Sequence, residues 1–303
     1  MRHRLQHILS GEDIPEETKT QRDGAEKNGN DLQETDSKED HHQNDPHEAA
    51  QPAFSSEDVF EKSYWSIGLQ GPGIESFLEN DLAWLRANNV TTIVSIAGNN
   101  VDEFGELARI LSKVEGVDGL EVNISCPNVE SRGQVFACNP VSAAQVIETV
   151  RSVWHSDAPV LAKLSPDVTD IVEIAHSVVE AGVDGVSMIN TLLGMVIDVD
   201  QMKPMLGGRT GGLSGPAIRP VAVRAIYQVH AALPHLPILG MGGIRTGHDA
   251  LEFIAAGASA FSIGTVVFGD PSAPWLIANE LGQELQSRGY NSLSEVVGLA
   301  HHN

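Results

Sequence analysis

The sequence predicts an α/β fold, a (β/α)8 TIM-type barrel that is incomplete at strand 1 unless its acidic leader supplies that strand. Three observations carry this. Seven short apolar runs recur between residues 66 and 265, rich in β-branched residues and not alternating, as strands covered on both faces of a parallel sheet should be. Amphipathic stretches separate them. Polar residues gather where several strands end, and glycines close the last two, the end of a barrel that commonly holds ligand.

The elements follow in order. SIGL (66–69) is the first predicted strand, and a Pro-Gly turn leads into a helix over 74–87. TTIVSIAG (91–98) is followed by a helix over 102–113, after Asn99-Asn100. LEVNIS (120–125) precedes a helix over 141–154, where Asn139-Pro140 makes a cap and first-turn pair. VLAKLS (160–165) leads to a helix over 169–181 that Gly182 stops. GVSMINT (185–191) is followed by a glycine-rich stretch and a helix over 220–232. ILGMGG (238–243) precedes a helix over 247–256 that ends at Gly257. AFSIGT (260–265) and a helix over 274–288 complete the set. Seven strands and seven helices within 64–303 approach the barrel's usual length of about 250 residues. A closed barrel needs eight strands, so either the leader contributes one or the sheet stays open at an edge. A doubly wound open sheet is the alternative arrangement.

Composition narrows the function classes. The chain has 303 residues, with 19 Lys+Arg against 41 Asp+Glu, a formal net charge of −22. Such a surface repels phosphates, so broad nucleic-acid binding is excluded. No apolar run reaches the roughly 18 residues of a membrane span. Two cysteines cannot staple a secreted scaffold, and MRHRLQHILSGED is no secretory signal, so a reducing, cytoplasmic setting is the default. Residues 1–62 hold 16 acidic and 7 basic residues and few β-branched or aromatic ones. Such a segment buries too little apolar area to offset chain entropy and reads as a disordered acidic leader. Its His41, His42 and His47 fit a solvated tail better than a metal site.

Chemistry concentrates at strand ends. NISCPN (123–128) places a thiol, Cys126, between two carboxamides, Asn123 and Asn128. Carboxamides both donate to and accept from a planar polar ligand. Cys126 occupies the place of a general base or nucleophile, against the plainer reading of a small buried hydrophobe. Cys138 reads as structural, and 129–139 as a lid or a surface loop. Lys163 sits inside an apolar strand, a costly position unless it meets an anion or an electron-rich ring. Asn190 and Thr191 end the next strand. GGRTGGLSGPAIRP (207–220), GMGGI (240–244) and SIGT (262–265) let backbone N–H groups approach a phosphate, with a helix N-terminus behind. Neither a P-loop nor a dinucleotide fingerprint is present, so these loops point to another phosphorylated cofactor.

NISCPNV, VLAKLSPDVTDI, GVSMINTLLGM, GGLSGPAIRP and GMGGIRTGHDALEFIAAGASAFSIGT together resemble the dihydroorotate dehydrogenases. The loop CPNVESRGQVFACNP is more similar to the NAD-linked class 1B catalytic subunit than to the fumarate-linked class 1A enzyme. The resemblance spans roughly residues 64–290. It implies an FMN-binding barrel over 64–303 that oxidises (S)-dihydroorotate to orotate in de novo pyrimidine biosynthesis. It also implies homodimerisation and a partner subunit carrying FAD and a [2Fe–2S] cluster that passes electrons to NAD⁺. By matching position, Cys126 would take the C5 proton of dihydroorotate while the C6 hydride goes to the flavin. Asn123, Asn128, Asn190 and Thr191 would bind the pyrimidine and its carboxylate, with Asn123 also touching the flavin. Lys163 would stabilise charge on reduced FMN. Ile189 and Gly215 would line the flavin, and Gly242, Gly243, Gly264 and Thr265 would hold its phosphate.

The chain departs from that pattern on one side. The family's opening strand with its Thr-Lys strand end is not recognisable, and TKT at 18–20 lies in the polar leader at the wrong spacing. Where the family reads Asn-Ala-Ile-Gly-Leu-Gln-Asn-Pro-Gly, this chain reads WSIGLQGPG, with Trp65 and Gly71 in place of the two asparagines. Ser95 replaces the asparagine before Val-Ala-Gly, a flavin contact. Weakened orotate binding is the expected consequence. The alternatives are a catalytically impaired FMN-binding barrel and a related enzyme that acts on uracil or thymine.

Overall fold

The computed structural model describes residues 64–65, 73–125 and 136–302. The acidic leader, the predicted strand at 66–69, Gly71, and the loop with Cys126 and Asn128 lie outside them.

Among the described residues six strands form one parallel sheet: β2 (Ile93–Ile96), β3 (Gly119–Val122), β4 (Val160–Leu164), β5 (Gly185–Met188), β10 (Ile238–Met241) and β11 (Ala260–Ser262). Their order across the sheet is β11-β10-β5-β4-β3-β2. Each strand of this set lies beside the one before it in the chain, so the winding never reverses. A doubly wound sheet requires a reversal, and the barrel arrangement therefore prevails. Among the described residues no ladder joins β11 back to β2, and the wall has two edges.

The strands are buried because helices cover them. β3 and β5 are buried at every position. The helices are α1 over 74–87, α2 (Val101–Leu111), α3 (Pro140–Val153), α4 (Ile171–Glu180), α5 (Arg219–Ala232), α6 (Gly247–Ala256) and α7 (Ala273–Ser287). A π turn, Phe77–Leu82, interrupts α1. Side-chain caps set several starts. Asn100 accepts from the Glu103 N–H, Asn139 from Ser142 with Pro140 behind it, and Asp170 from Val172 and Glu173. Gly257 stops α6 with φ +121°. Phe104 of α2 meets Phe136 edge-on at 5.9 Å between ring centroids, tying the chain after the Cys126 loop to the core. No helix among the described residues is long and apolar enough to cross a membrane.

Residues 192–213 contain strands where the sequence reading expects only a glycine-rich loop. β9 (Gly211–Leu213) pairs antiparallel with β6 (Leu192–Gly194) on one side and with β1 (Tyr64–Trp65) on the other. β7 (Ile197–Asp198) and β8 (Lys203–Pro204) form a hairpin beyond them. Only the end of that glycine-rich stretch, from Ser214, reaches the site described next. Trp65, the end of β1, pairs with Gly212.

Candidate active site

Where β4, β5, β10 and β11 end, a cavity of about 390 Å³ opens, within the usual range of small-molecule sites. Nine residues singled out by the sequence line it: Lys163, Ile189, Asn190, Thr191, Gly215, Gly242, Gly243, Gly264 and Thr265. Asn123 is tied to the same wall, because its carboxamide oxygen accepts from Asn190 Nδ2 at 3.2 Å. The sequence reading did not single out Ser214, Met241 or Arg245, which also line the cavity.

Each side chain has a local reason for its place. β4 and β5 run in register, with Lys163 opposite Ser187. Ser125, in the turn that follows β3, donates its hydroxyl to the Lys163 carbonyl at 2.5 Å. The end of β3 is thereby fastened to β4. Asn190 bridges in the same way, donating to Asn123 and, at 3.4 Å, to the Ser125 carbonyl. Its own carboxamide oxygen accepts from the Thr191 N–H at 2.8 Å. β9 lies directly on Thr191: a Cβ added at Gly212 would sit 2.2 Å from Thr191 Oγ1. Only glycine permits that approach.

At the far wall, backbone meets backbone. Gly243 has φ +84°, and a Cβ there would lie 2.6 Å from the Gly215 carbonyl oxygen. A Cβ at Gly264 would meet nothing within 4 Å. Asp249 holds this loop in shape. Its carboxylate accepts from the N–H groups of Arg245 at 2.9 Å and Thr246 at 3.2 Å, and pairs with Arg219. The Asp249 N–H returns a bond to Thr246 Oγ1, completing a capping box. The Thr-Gly-His-Asp spacing was the available sequence signal.

Charge is concentrated at the opposite wall. Glu121 is buried on β3, and Lys163 Nζ lies 3.5 Å from its carboxylate. The signal for it was a glutamate inside an otherwise apolar strand, which sequence reasoning passed over. Ser95 does not line the cavity, and its hydroxyl donates to Glu121 at 2.8 Å. Cys138 is exposed and its Sγ contacts the Asp167 carbonyl at 3.4 Å. Partial burial of the thiol, then the Asp167 charge, pushes its pKa up, which opposes thiolate reactivity. Burial also raises the Asp167 carboxyl, against the Leu193 N–H bond that lowers it.

From β4 to β11 is three strand spacings, about 14 Å. The cavity thus suits an elongated ligand with a ring beside Lys163 and an anionic end among the glycines. The glycine cradle, closed to any Cβ at Gly243 and open at Gly264, fits a phosphate gripped by main chain.

A model of the dihydroorotate dehydrogenase family matches residues 55–285. The catalytic subunit of dihydroorotate dehydrogenase B (NAD(+)) from Desulforamulus reducens is 49% identical over 236 residues, covering 78% of this chain and 77% of that protein. The subunit of the same name from Desulforudis audaxviator is 50% identical over 236 residues, covering 78% and 76%. That of Bacillus pumilus is 46% identical over 244 residues, covering 78% of each.

Proposed function

The chain belongs to the dihydroorotate dehydrogenase family, and we propose that it is the FMN-dependent catalytic subunit of an NAD-linked, class 1B enzyme oxidising (S)-dihydroorotate to orotate. The observation that carries this is the convergence of Lys163, Asn190 and Thr191 with the glycine cradle on a single cavity.

Each residue then has a task. Main-chain N–H groups at Gly242, Gly243, Gly264 and Thr265 would hold the phosphate of FMN, and Ile189 and Gly215 would contact its ring system. Lys163 would supply positive charge to stabilise the reduced cofactor. FMN supplies the acceptor for the C6 hydride. Asn123, Asn128, Asn190 and Thr191 hold the pyrimidine and its carboxylate, and Cys126 takes the C5 proton. The Asn190–Asn123 bond pre-orients two of these carboxamides at little entropic cost. We assign the catalytic domain to 64–303. The relatives are named as catalytic subunits, which supports a separate partner. We assign to that partner FAD and a [2Fe–2S] cluster, with NAD⁺ as final acceptor and a homodimer of this chain at the centre.

Purified chain loaded with FMN tests the reading. Anaerobic dihydroorotate should bleach the flavin absorbance, and orotate with an electron donor should reverse it. A protein that takes up no FMN, or is bleached by dihydrouracil and not by dihydroorotate, refutes it.

A further inference from the structure

The inner face of the wall carries a polar chain across four strands. Register sets Ser95 of β2 opposite Glu121 of β3, and Lys163 of β4 opposite Ser187 of β5. Glu121 is 7% exposed and gathers all three neighbours. Its Oε1 accepts from Ser95 Oγ at 2.8 Å and faces Lys163 Nζ at 3.5 Å, while its Oε2 accepts from Ser187 Oγ at 2.6 Å. Both carboxylate oxygens are therefore engaged. Among the described residues this is the one ion pair of Lys163. Lys163 lines the cavity and Glu121 does not. A buried carboxylate held by two hydroxyls is a fixed negative charge, and its neighbour's ammonium cannot act on the cavity independently of it.

We propose that Glu121 is a positioning residue that holds Lys163 at the cavity wall and offsets its charge, so that a bound flavin meets the field of an ion pair rather than of a free cation. Ser95, which stands where the family has an asparagine, is recruited into this unit by its hydroxyl. The inference rests on the proposed function and adds to it what sets the strength of the Lys163 charge.

The test measures the midpoint potential of bound FMN in wild-type protein, Glu121→Gln, Glu121→Asp and Lys163→Met. In parallel, urea unfolding of the flavin-free proteins follows a double-mutant cycle between the two sites. Removing the negative charge in Glu121→Gln should favour reduced flavin about tenfold, an upward shift of about 30 mV for a two-electron couple. Glu121→Asp should stay near wild type, and Lys163→Met should shift the potential down. Flavin-free Glu121→Gln should lose more stability with Lys163 present than with Met in its place. If Glu121→Gln does not fold, Glu121→Leu/Lys163→Met replaces the pair by apolar groups, and its potential should exceed that of Lys163→Met alone. An unmoved or lowered potential in Glu121→Gln, or equality of that double variant with Lys163→Met, overturns the inference while leaving FMN binding and turnover intact. A wild-type chain that takes up no FMN overturns the proposed function and the inference together.

Discussion

Asp249→Ala is the most informative single change, because Asp249 does not line the cavity and yet shapes the loop that does. The carboxylate is 7% exposed and satisfies two backbone N–H groups, at Arg245 and Thr246, as well as the Arg219 guanidinium. Removing one partner of a buried charged network costs about 3–5 kcal/mol. Arg219 keeps a second carboxylate, Glu252 at 3.3 Å, which holds the loss near the lower end, about 3 kcal/mol. That is a large part of a typical 5–15 kcal/mol stability. With a urea slope of about 2–3 kcal/mol per molar, the unfolding midpoint should fall by about 1–1.5 M. Thr246→Ala removes only the cap and should cost about 1 kcal/mol. The two changes share one capping box, so the double variant should lose less than the sum. FMN affinity, followed by recovery of flavin fluorescence on dilution, should fall at least tenfold in Asp249→Ala, because Gly242 and Gly243 immediately precede the loop it fixes. An Asp249→Ala protein within 1 kcal/mol of wild type would refute this account of how the cradle is held.

Three further outcomes follow from other parts of the molecule. Gly212→Ala places a methyl group 2.2 Å from Thr191 Oγ1, so β9 must lift; an overpacking loss of about 1–3 kcal/mol and a raised KM for dihydroorotate are expected, and an unchanged KM would count against Thr191 as a substrate contact. Burial, and after it the charges of His301, His235 and His302, hold the His230 imidazole below its ordinary value of 6.5. The unfolded chain then binds a proton that the native chain does not, so stability is full above about pH 6.5 and is lost as pH falls toward the lower native value. Melting temperature should therefore drop from pH 7 to pH 5, with a shallower slope in His230→Gln; equal slopes would exclude His230 as the source. Trp65→Asn returns the carboxamide found in the resembling family and should lower the KM for dihydroorotate about tenfold, the worth of one or two hydrogen bonds. No change in KM would show that this position is not what limits binding.

Burial pattern made the wall legible. Apolar runs such as VLAKL and GVSM are strands because both faces are covered, and the structure finds all six runs from 91 onward as parallel strands. Helix limits were readable where a cap names them, as at Asn139-Pro140 and Gly257. The excursion over 192–213 was not, because its pairings are two or three residues long. Gly211 and Gly212 in β9 are chosen by the neighbour they must clear, and local propensity argues against a strand there. The cavity residues were legible as polar groups and glycines at strand ends. Glu121 and Asp249 were not, since each works through another residue and its partners are 26 to 66 positions away for Glu121 and 30 for the Arg219 pair of Asp249.

The departures from the family pattern also have a physical logic. Lys163, Asn190, Gly242 and Gly243 lie at the ends of β4, β5 and β10, which have parallel neighbours on both sides. A change there disturbs two ladders, two covering helices and the cavity at once. Among the described residues Ser95 sits on β2, an edge, and Trp65 on β1, a two-residue strand of the small antiparallel sheet. Ser95 thus pairs through one parallel ladder, with β3, and its substitution should cost the fold less than a change in β4, β5 or β10. Its hydroxyl is taken up by Glu121 at 2.8 Å. Ser95 thereby serves the charge beside Lys163, and its substitution should appear in flavin potential before it appears in folding.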